Sequence, residues 1–314
     1  MKFQDLKNFF ILIFFFTISL FFLINNIYAE SPYFYSCVLA ATPTVIQTPV
    51  VTITSVPTTV PTSTSFPTST PFPTPTSLPN CQLKMGTGER TKADLVVLAE
   101  DYNNNNDFLA AVDKAVVALN KTNLGTARLG KINLWALMDL NQTFFQGFNC
   151  PTANGVTVAC WDHVKAFNLA ASKCGGDSYL IFNNDTHRTG SIGGISIWGG
   201  TYIYNFALDQ PTVPHELGHS LTGLMDEYSF GIAAPAGAVA GLNCSELPSQ
   251  SQTVPCPKWA NRFPNVGCYP RCGFTNFYRP AVRSIMDRGG TGAVYDFNEP
   301  SLIDGWDEML KLFP

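Results

Sequence analysis

Histidines at positions 215 and 219, with a glutamate at 216, are the residues of this chain best placed to do chemistry. Two histidines four apart on a helix project from one face, one turn above the other, so both imidazoles can reach a single metal ion. Glu216 stands beside the first, where a carboxylate can hold a metal-activated water and take its proton. With Zn2+ as the metal, that set suits amide hydrolysis. A helix whose histidines merely cap or pack would carry the same letters. The segment after His219 separates the two cases: Ser220-Leu221-Thr222-Gly223-Leu224-Met225-Asp226-Glu227-Tyr228.

That segment is expected to supply the third ligand. Asp226 lies seven residues after His219, which in an unbroken helix puts it about 10 Å along the axis. A ligand oxygen has to be within about 2.0–2.2 Å of the ion. The helix is therefore expected to stop at Gly223, since glycine takes the left-handed conformation that ends helices. The chain then folds back and brings Asp226 under the histidines, with Glu227 next door as the rival. Val213-Pro214 precede His215 and suit a helix start, because a first-turn proline lacks an N–H that had no partner there anyway.

The elements that must position this helix read as an α/β domain, a twisted mixed sheet with packed helices. Valine-rich 93–99 is a buried strand, 107–119 carries apolar residues at helical spacing, and 132–138 is a second strand, parallel to the first through a crossover. A loop over 144–158 is expected to be stapled by Cys150 and Cys160. A helix at 161–172 and strands at 178–183, 194–198 and 202–207 come next. Beyond Tyr228 the chain turns irregular and rich in cysteine and proline, and 302–312 has the spacing of a closing helix.

Ahead of all this, Lys2 and Lys7 lead into an apolar run from Phe9 to Ile24. Residues 1–29 read as an export signal cleaved after Ala29, or as an uncleaved membrane anchor. Residues 30–80 form a Pro/Thr/Ser-rich linker; from Ala41 to Asn80 it has no charged residue and nine prolines. Such a segment cannot assemble a core and acts as an extended spacer. The folded domain is expected over 81–314. Nine cysteines agree with an oxidising, extracellular location, either secreted or held at the cell surface. Eight of them, from Cys81 onward, could form four disulfides. The alternative for Cys268 and Cys272 is half of a structural zinc site. A net charge of −4 with 13% charged residues leaves no basic footprint, so nucleic acid is not an expected partner.

The long motif (His215, Glu216, Gly218, His219, Gly223, Leu224, Asp226, Glu227, Tyr228) resembles the signature of the M64 peptidases, the family typified by a bacterial immunoglobulin A protease. Asn183-Asn184-Asp185-Thr186 with the glycine-rich strand after it, Lys258-Trp259 and Ser284-Ile285-Met286 also fit, so the resemblance spans about residues 93–287. It implies a metzincin-like zincin fold. Zn2+ would be held by His215, His219 and Asp226, Glu216 would act as general base, and Met286 would form a structural methionine turn. The chain departs from the common metzincin spacing, which puts a glycine seven and a ligand ten residues after the first histidine. Thr222 and Met225 occupy those places, and Gly223 and Asp226 each come one residue later. Asp287 and Arg288 stand where metzincins often have a tyrosine, so no such role is assigned there.

The expected activity is zinc-dependent endopeptidase action on a protein or peptide substrate. An inactive zincin-like surface binding module and a cell-wall peptide amidase are the alternatives. Attachment to a membrane or cell wall would run through the N-terminal segment. Of the other two histidines, His163 reads as a surface or packing residue and His187 as an ordinary loop residue. Glu246 is a conceivable distant ligand in a setting that does not read as helix. Asn120, Asn141, Asn184 and Asn243 open Asn-x-Ser/Thr sequences.

Overall fold

The computed structural model describes residues 80–313, apart from 152–156, 186–192, 198, 209, 230, 247–253 and 288–294. The leader, most of the linker, Cys37, His187, Trp198 and Arg288 lie outside the described residues.

Strands β1 (Cys81–Met85), β2 (Ala93–Glu100), β3 (Ile132–Leu137), β6 (Ser178–Asn183), β7 (Gly194–Ile197) and β8 (Gly200–Tyr204) form one six-stranded sheet. Its order is β1-β3-β2-β6-β8-β7. The four central strands are parallel, and the two edge strands, β1 and β7, run antiparallel to their neighbours. All eight residues of β2 and all six of β3 and of β6 are buried. Parallel strands covered on both faces need such continuous burial.

Side chains alternate across the sheet and feed two cores. Leu95, Val97 and Ala99 of β2 pack with Phe108 and Val112 of α1 (Asn105–Asn120), and with Val213 and Leu217 of α4 (Thr212–Thr222). Val96 and Leu98 pack the other way, onto Ala166 and Ala170 of α3 (His163–Cys174). The result is three layers, with α4 on the same face as α1. Between α1 and β3 lies a short helix, α2 (Gly125–Leu129).

The helix ends follow from local chemistry. The Asn104 side chain accepts the Asp107 N–H at 2.9 Å and starts α1 two residues before Asp107, the expected first residue. Asp162 accepts from Lys165 N in the same way, and Gly175, at φ 66°, closes α3. Residues 161–162 are therefore strand end and cap, and the helix runs on to Cys174.

Several elements differ from expectation. Residues 145–151 and 157–161 pair as the hairpin β4 (Phe145–Pro151) and β5 (Thr157–Trp161), closed by the Cys150–Cys160 disulfide, where a loop is expected. The fifth expected strand starts earlier, at Gly200, and yields to a 3-10 turn at Asn205–Ala207. Edge strand β1, tied to α3 by Cys81–Cys174, and the hairpin β9 (Tyr269–Cys272) and β10 (Phe274–Arg279) lie in segments without a clean apolar alternation. The closing helix is a π-helical stretch, Ser301–Asp307, followed by the short α5 (Glu308–Leu310).

The C-terminal region is disulfide-rich, as expected. Cys244–Cys272 and Cys256–Cys268 put Cys268 and Cys272 in separate bridges, which removes the half zinc site. Trp259 is fully buried beside the second bridge. Asn243 is also buried, with its amide bonded to Met225 O at 2.8 Å, so that Asn-x-Ser sequence is no glycan acceptor in the folded protein. Among the described residues no helix is long and apolar enough to cross a membrane.

Candidate metal centre

On α4, Val213 and Leu217 face the sheet core. Residues 215 and 219 sit about 200° around the helix from 213 and 217, so the same eleven-residue helix that seals the core turns both histidines the other way. Pro214 occupies the first turn, where its missing N–H costs nothing. Gly223 ends the helix at φ 65°, and Leu224 N bonds back to Gly218 O at 3.1 Å. This left-handed stop is the expected one.

The reversal does two things. It aims the Leu224 carbonyl at His219 Nδ1, 2.6 Å away. It also carries Asp226 back under the helix, where Oδ1 is 3.2 Å from both His215 Nε2 and His219 Nε2. The two Nε2 atoms are 3.1 Å apart. On the far side, His215 Nδ1 meets the Ile285 carbonyl at 2.8 Å. Carbonyls only accept, so each Nδ1 carries a ring proton and each Nε2 is the nitrogen turned to the shared centre.

The fit to zinc can be judged from that triangle. A tetrahedral ion with nitrogen and oxygen ligands at roughly 2.0 Å has ligand-to-ligand edges of about 3.3 Å. Edges of 3.1, 3.2 and 3.2 Å are close to one face of such a tetrahedron. Two imidazoles and a carboxylate suit zinc, and among the described residues these three are the donors that converge. His215, His219 and Asp226 thus form a cluster able to hold a metal ion. The His215 side chain is 2% exposed against 21% for His219 and 12% for Asp226, so the cluster opens on the His219 side.

Asp226, not Glu227, joins the histidines. Glu227 points the other way, into full burial. There it accepts from Ser284 Oγ at 2.7 Å, Asn243 Nδ2 at 3.0 Å and Asn298 Nδ2 at 2.5 Å. Its backbone N–H donates to Met286 O at 2.6 Å, and its carbonyl accepts from Arg279 Nη1 at 2.6 Å. One side chain therefore ties the ligand loop to three distant segments. Burial pushes its carboxyl up to about 7, against the pull of those three donors. Met286 lies under α4, where a Cβ on Gly218 would come within 2.9 Å of its sulfur.

Glu216 is buried at 6% exposure, and its Oε2 accepts from Ser196 Oγ of β7 at 2.8 Å. Tyr228, at the rim and 36% exposed, directs its phenol at Asp226; burial first, then the Asp226 charge and hydrogen bond, push its pKa up. Neither Ser196 nor Tyr228 has a role by sequence reasoning. Tyr228 was visible within the long motif, whereas Ser196 carries no local signal. The remaining expectations fall outside the cluster: His163 Nδ1 bonds Tyr179 OH at 2.6 Å, and Glu246 accepts the Ala240 N–H.

Charge in the metal-free cluster is set by competition. Burial pulls the His219 pKa down, but the Asp226 carboxylate, with Glu216 behind it, overrides this and sets it at about 9. Burial likewise pushes Asp226 up, and His219 and His215 more than offset it, holding the carboxyl well below the usual range. Between pH 6.5 and 9 the metal-free fold thus keeps a proton at His219 that the unfolded chain has lost. The resulting stabilisation is complete below 6.5 and disappears as pH rises through 9. A metal entering the site must displace this proton. Apparent zinc affinity should therefore rise with pH until about 9 and then level off. Calorimetry near pH 7.5 in two buffers of different ionisation enthalpy should find about one proton released per zinc; none released would contradict the proton's placement.

No family model and no curated protein matches the chain. Among solved structures, archaemetzincin from Methanopyrus kandleri is similar at 12% identity, over 47% of this chain and 78% of that one, with a TM-score of 0.27.

Proposed function

We propose that the protein is a zinc-dependent endopeptidase. One observation carries the proposal: two Nε2 atoms and a carboxylate oxygen converge within 3.1–3.2 Å, while Glu216, on the same helix, lies outside that cluster yet near enough for its charge to act on His219. The resemblance of the long motif to M64 peptidases supports the same reading.

His215, His219 and Asp226 would hold the ion, and the chemistry it supplies in such a site is Lewis acidity toward a water and a carbonyl oxygen. Glu216 takes the proton of the attacking water and passes it to the departing amine. The backbone carbonyls of Leu224 and Ile285 keep both imidazoles in the tautomer that turns Nε2 inward. Met286 provides an apolar floor beneath the helix. Among the described residues strand β7 pairs only with β8, so its outer edge is the place for an extended peptide to add. A substrate strand laid there runs past Glu216, and side-chain pockets along the edge set preference. In this reading residues 1–29 export the chain or anchor it, and residues 30–80 space the folded part from the surface.

The test uses the zinc-loaded protein on a denatured protein mixture. Cleavage that a chelator abolishes and added zinc restores is the expected result, and the cut sites give the preference. Stoichiometric zinc without any cleavage of proteins or peptides would overturn the reading in favour of a binding module; release of cell-wall peptides alone would favour the amidase.

A further inference from the structure

Strand β7 does more than offer an edge. Gly194 and Ser196, two residues apart, both face α4. Ser196 Oγ lies 2.8 Å from Glu216 Oε2 and 2.8 Å from the backbone carbonyl of Glu216. Thr201 Oγ1 of β8 is 3.0 Å from Ser196 Oγ and donates to Ser220 Oγ of α4 at 2.9 Å, completing a line of hydroxyls across the two strands. A hydroxyl has a single proton, and a carboxylate oxygen is a stronger acceptor than a backbone carbonyl, so that proton goes to Oε2. At Gly194 the geometry is tighter still: a Cβ would stand 2.8 Å from Glu216 Cγ and 3.0 Å from Oε1. Only glycine lets the glutamate lie flat against the strand.

We infer that β7 orients the general base: Ser196 is a positioning residue that holds one oxygen of Glu216 and leaves the other for proton transfer, in a space that Gly194 keeps open. The role given to Glu216 rests on the peptidase reading; the contact that orients it does not. Because the edge offered to a substrate backbone and the anchor of the base are the same four-residue strand, the scissile bond and the base keep a common frame. Gly199 N, just before β8, donates to Ser220 O at 2.9 Å and joins the turn between the two strands to α4.

The experiment compares the zinc-loaded full chain with Ser196→Ala and Ser196→Thr in two measurements. On a peptide substrate, Ser196→Ala should lower kcat about tenfold with KM within about twofold, as expected for loss of one charge-assisted hydrogen bond. Ser196→Thr, which keeps the hydroxyl, should recover most of that loss. Calorimetry with acetohydroxamic acid, which gives up a proton on binding a metal, tests Glu216 as the group that takes that proton. Ser196→Ala should bind the hydroxamate about tenfold more weakly, and Ser196→Thr nearly as tightly as the parent. Zinc content and melting temperature should stay at the parental values. If Ser196→Ala loses its melting transition, Ser196→Cys, with similar volume and a weak donor, replaces it in both measurements. Equal kcat and equal acetohydroxamate affinity in parent and Ser196→Ala would overturn the inference, as would a threonine variant as impaired as the alanine one. A parent that binds zinc and acetohydroxamic acid but cuts no peptide would sink the peptidase reading instead, and the acetohydroxamate comparison would still decide the role of Ser196.

Discussion

Glu216→Gln should abolish nearly all hydrolysis and leave zinc bound. The substitution keeps the shape of the side chain and an oxygen to accept from Ser196 Oγ, which is 2.8 Å from Oε2. It removes only the capacity to take a proton. General acid–base groups contribute roughly 10²–10⁴-fold to rate, so kcat should fall by about that factor. The ligand triangle of His215, His219 and Asp226 does not include Glu216. Metal analysis should therefore return parental zinc stoichiometry, and the melting temperature should stay within a few degrees. A variant that retains more than about a tenth of parental kcat would remove Glu216 from the proton-transfer role.

Glu227→Ala should have the opposite profile, damaging the fold first and the metal site through it. Removing this carboxylate leaves Ser284 Oγ, Asn298 Nδ2 and the Asn243 N–H that is not bonded to Met225 O without their acceptor, in a site where Asn243 is fully buried and Ser284 nearly so. Stranded buried donors cost about 1–3 kcal/mol each when nothing replaces the partner. Partial relaxation brings the expected total to about 3–5 kcal/mol, which for a domain of this size lowers the melting temperature by roughly 10 °C. The three donors come from the loop after α4, the segment under the histidines and the stretch leading into the π-helical turn, so all three should loosen together. Asp226→Ala is the control. It should lower zinc affinity by more than the roughly 10–100-fold that outer partners are worth, and, compared above about pH 9 where the His219 proton no longer contributes, disturb the metal-free melting temperature far less. Thermal melts of both variants with and without zinc separate the cases. If Glu227→Ala melts like the parent and Asp226→Ala keeps its zinc, the assignments of ligand and clamp are reversed.

These two adjacent acids show where reading the chain stops. Residues 93–99 and 178–183 were legible as strands because parallel strands covered on both faces need unbroken apolar runs, which few other elements share. The helix bearing His215 and His219 was legible because its spacing is local. So was its end at Gly223, since a left-handed residue is a requirement on a single position. Element edges were legible only roughly, because caps such as Asn104 and Asp162 shift a boundary by two residues without altering the pattern around it.

Beyond Gly223 the outcome depended on contacts across the molecule. Asp226 and Glu227 have the same chemistry and nearly the same position; the resemblance of the motif favours Asp226, but nothing in the local chemistry separates the two. The choice is made by Asn243, Ser284 and Asn298, lying 16, 57 and 71 residues further on, which take one carboxylate and leave the other to the histidines. Ser196 was invisible for a related reason. A serine in a short strand has no pattern of its own, and its meaning appears only once β7 is laid against α4. The order of residues specified the donor types and the helix that pairs two of them; folding selected the acid that completes the set and the residue that holds Glu216. Periodicity and chain stops are written into neighbouring residues, whereas a hydrogen bond between distant segments exists only after the chain has folded.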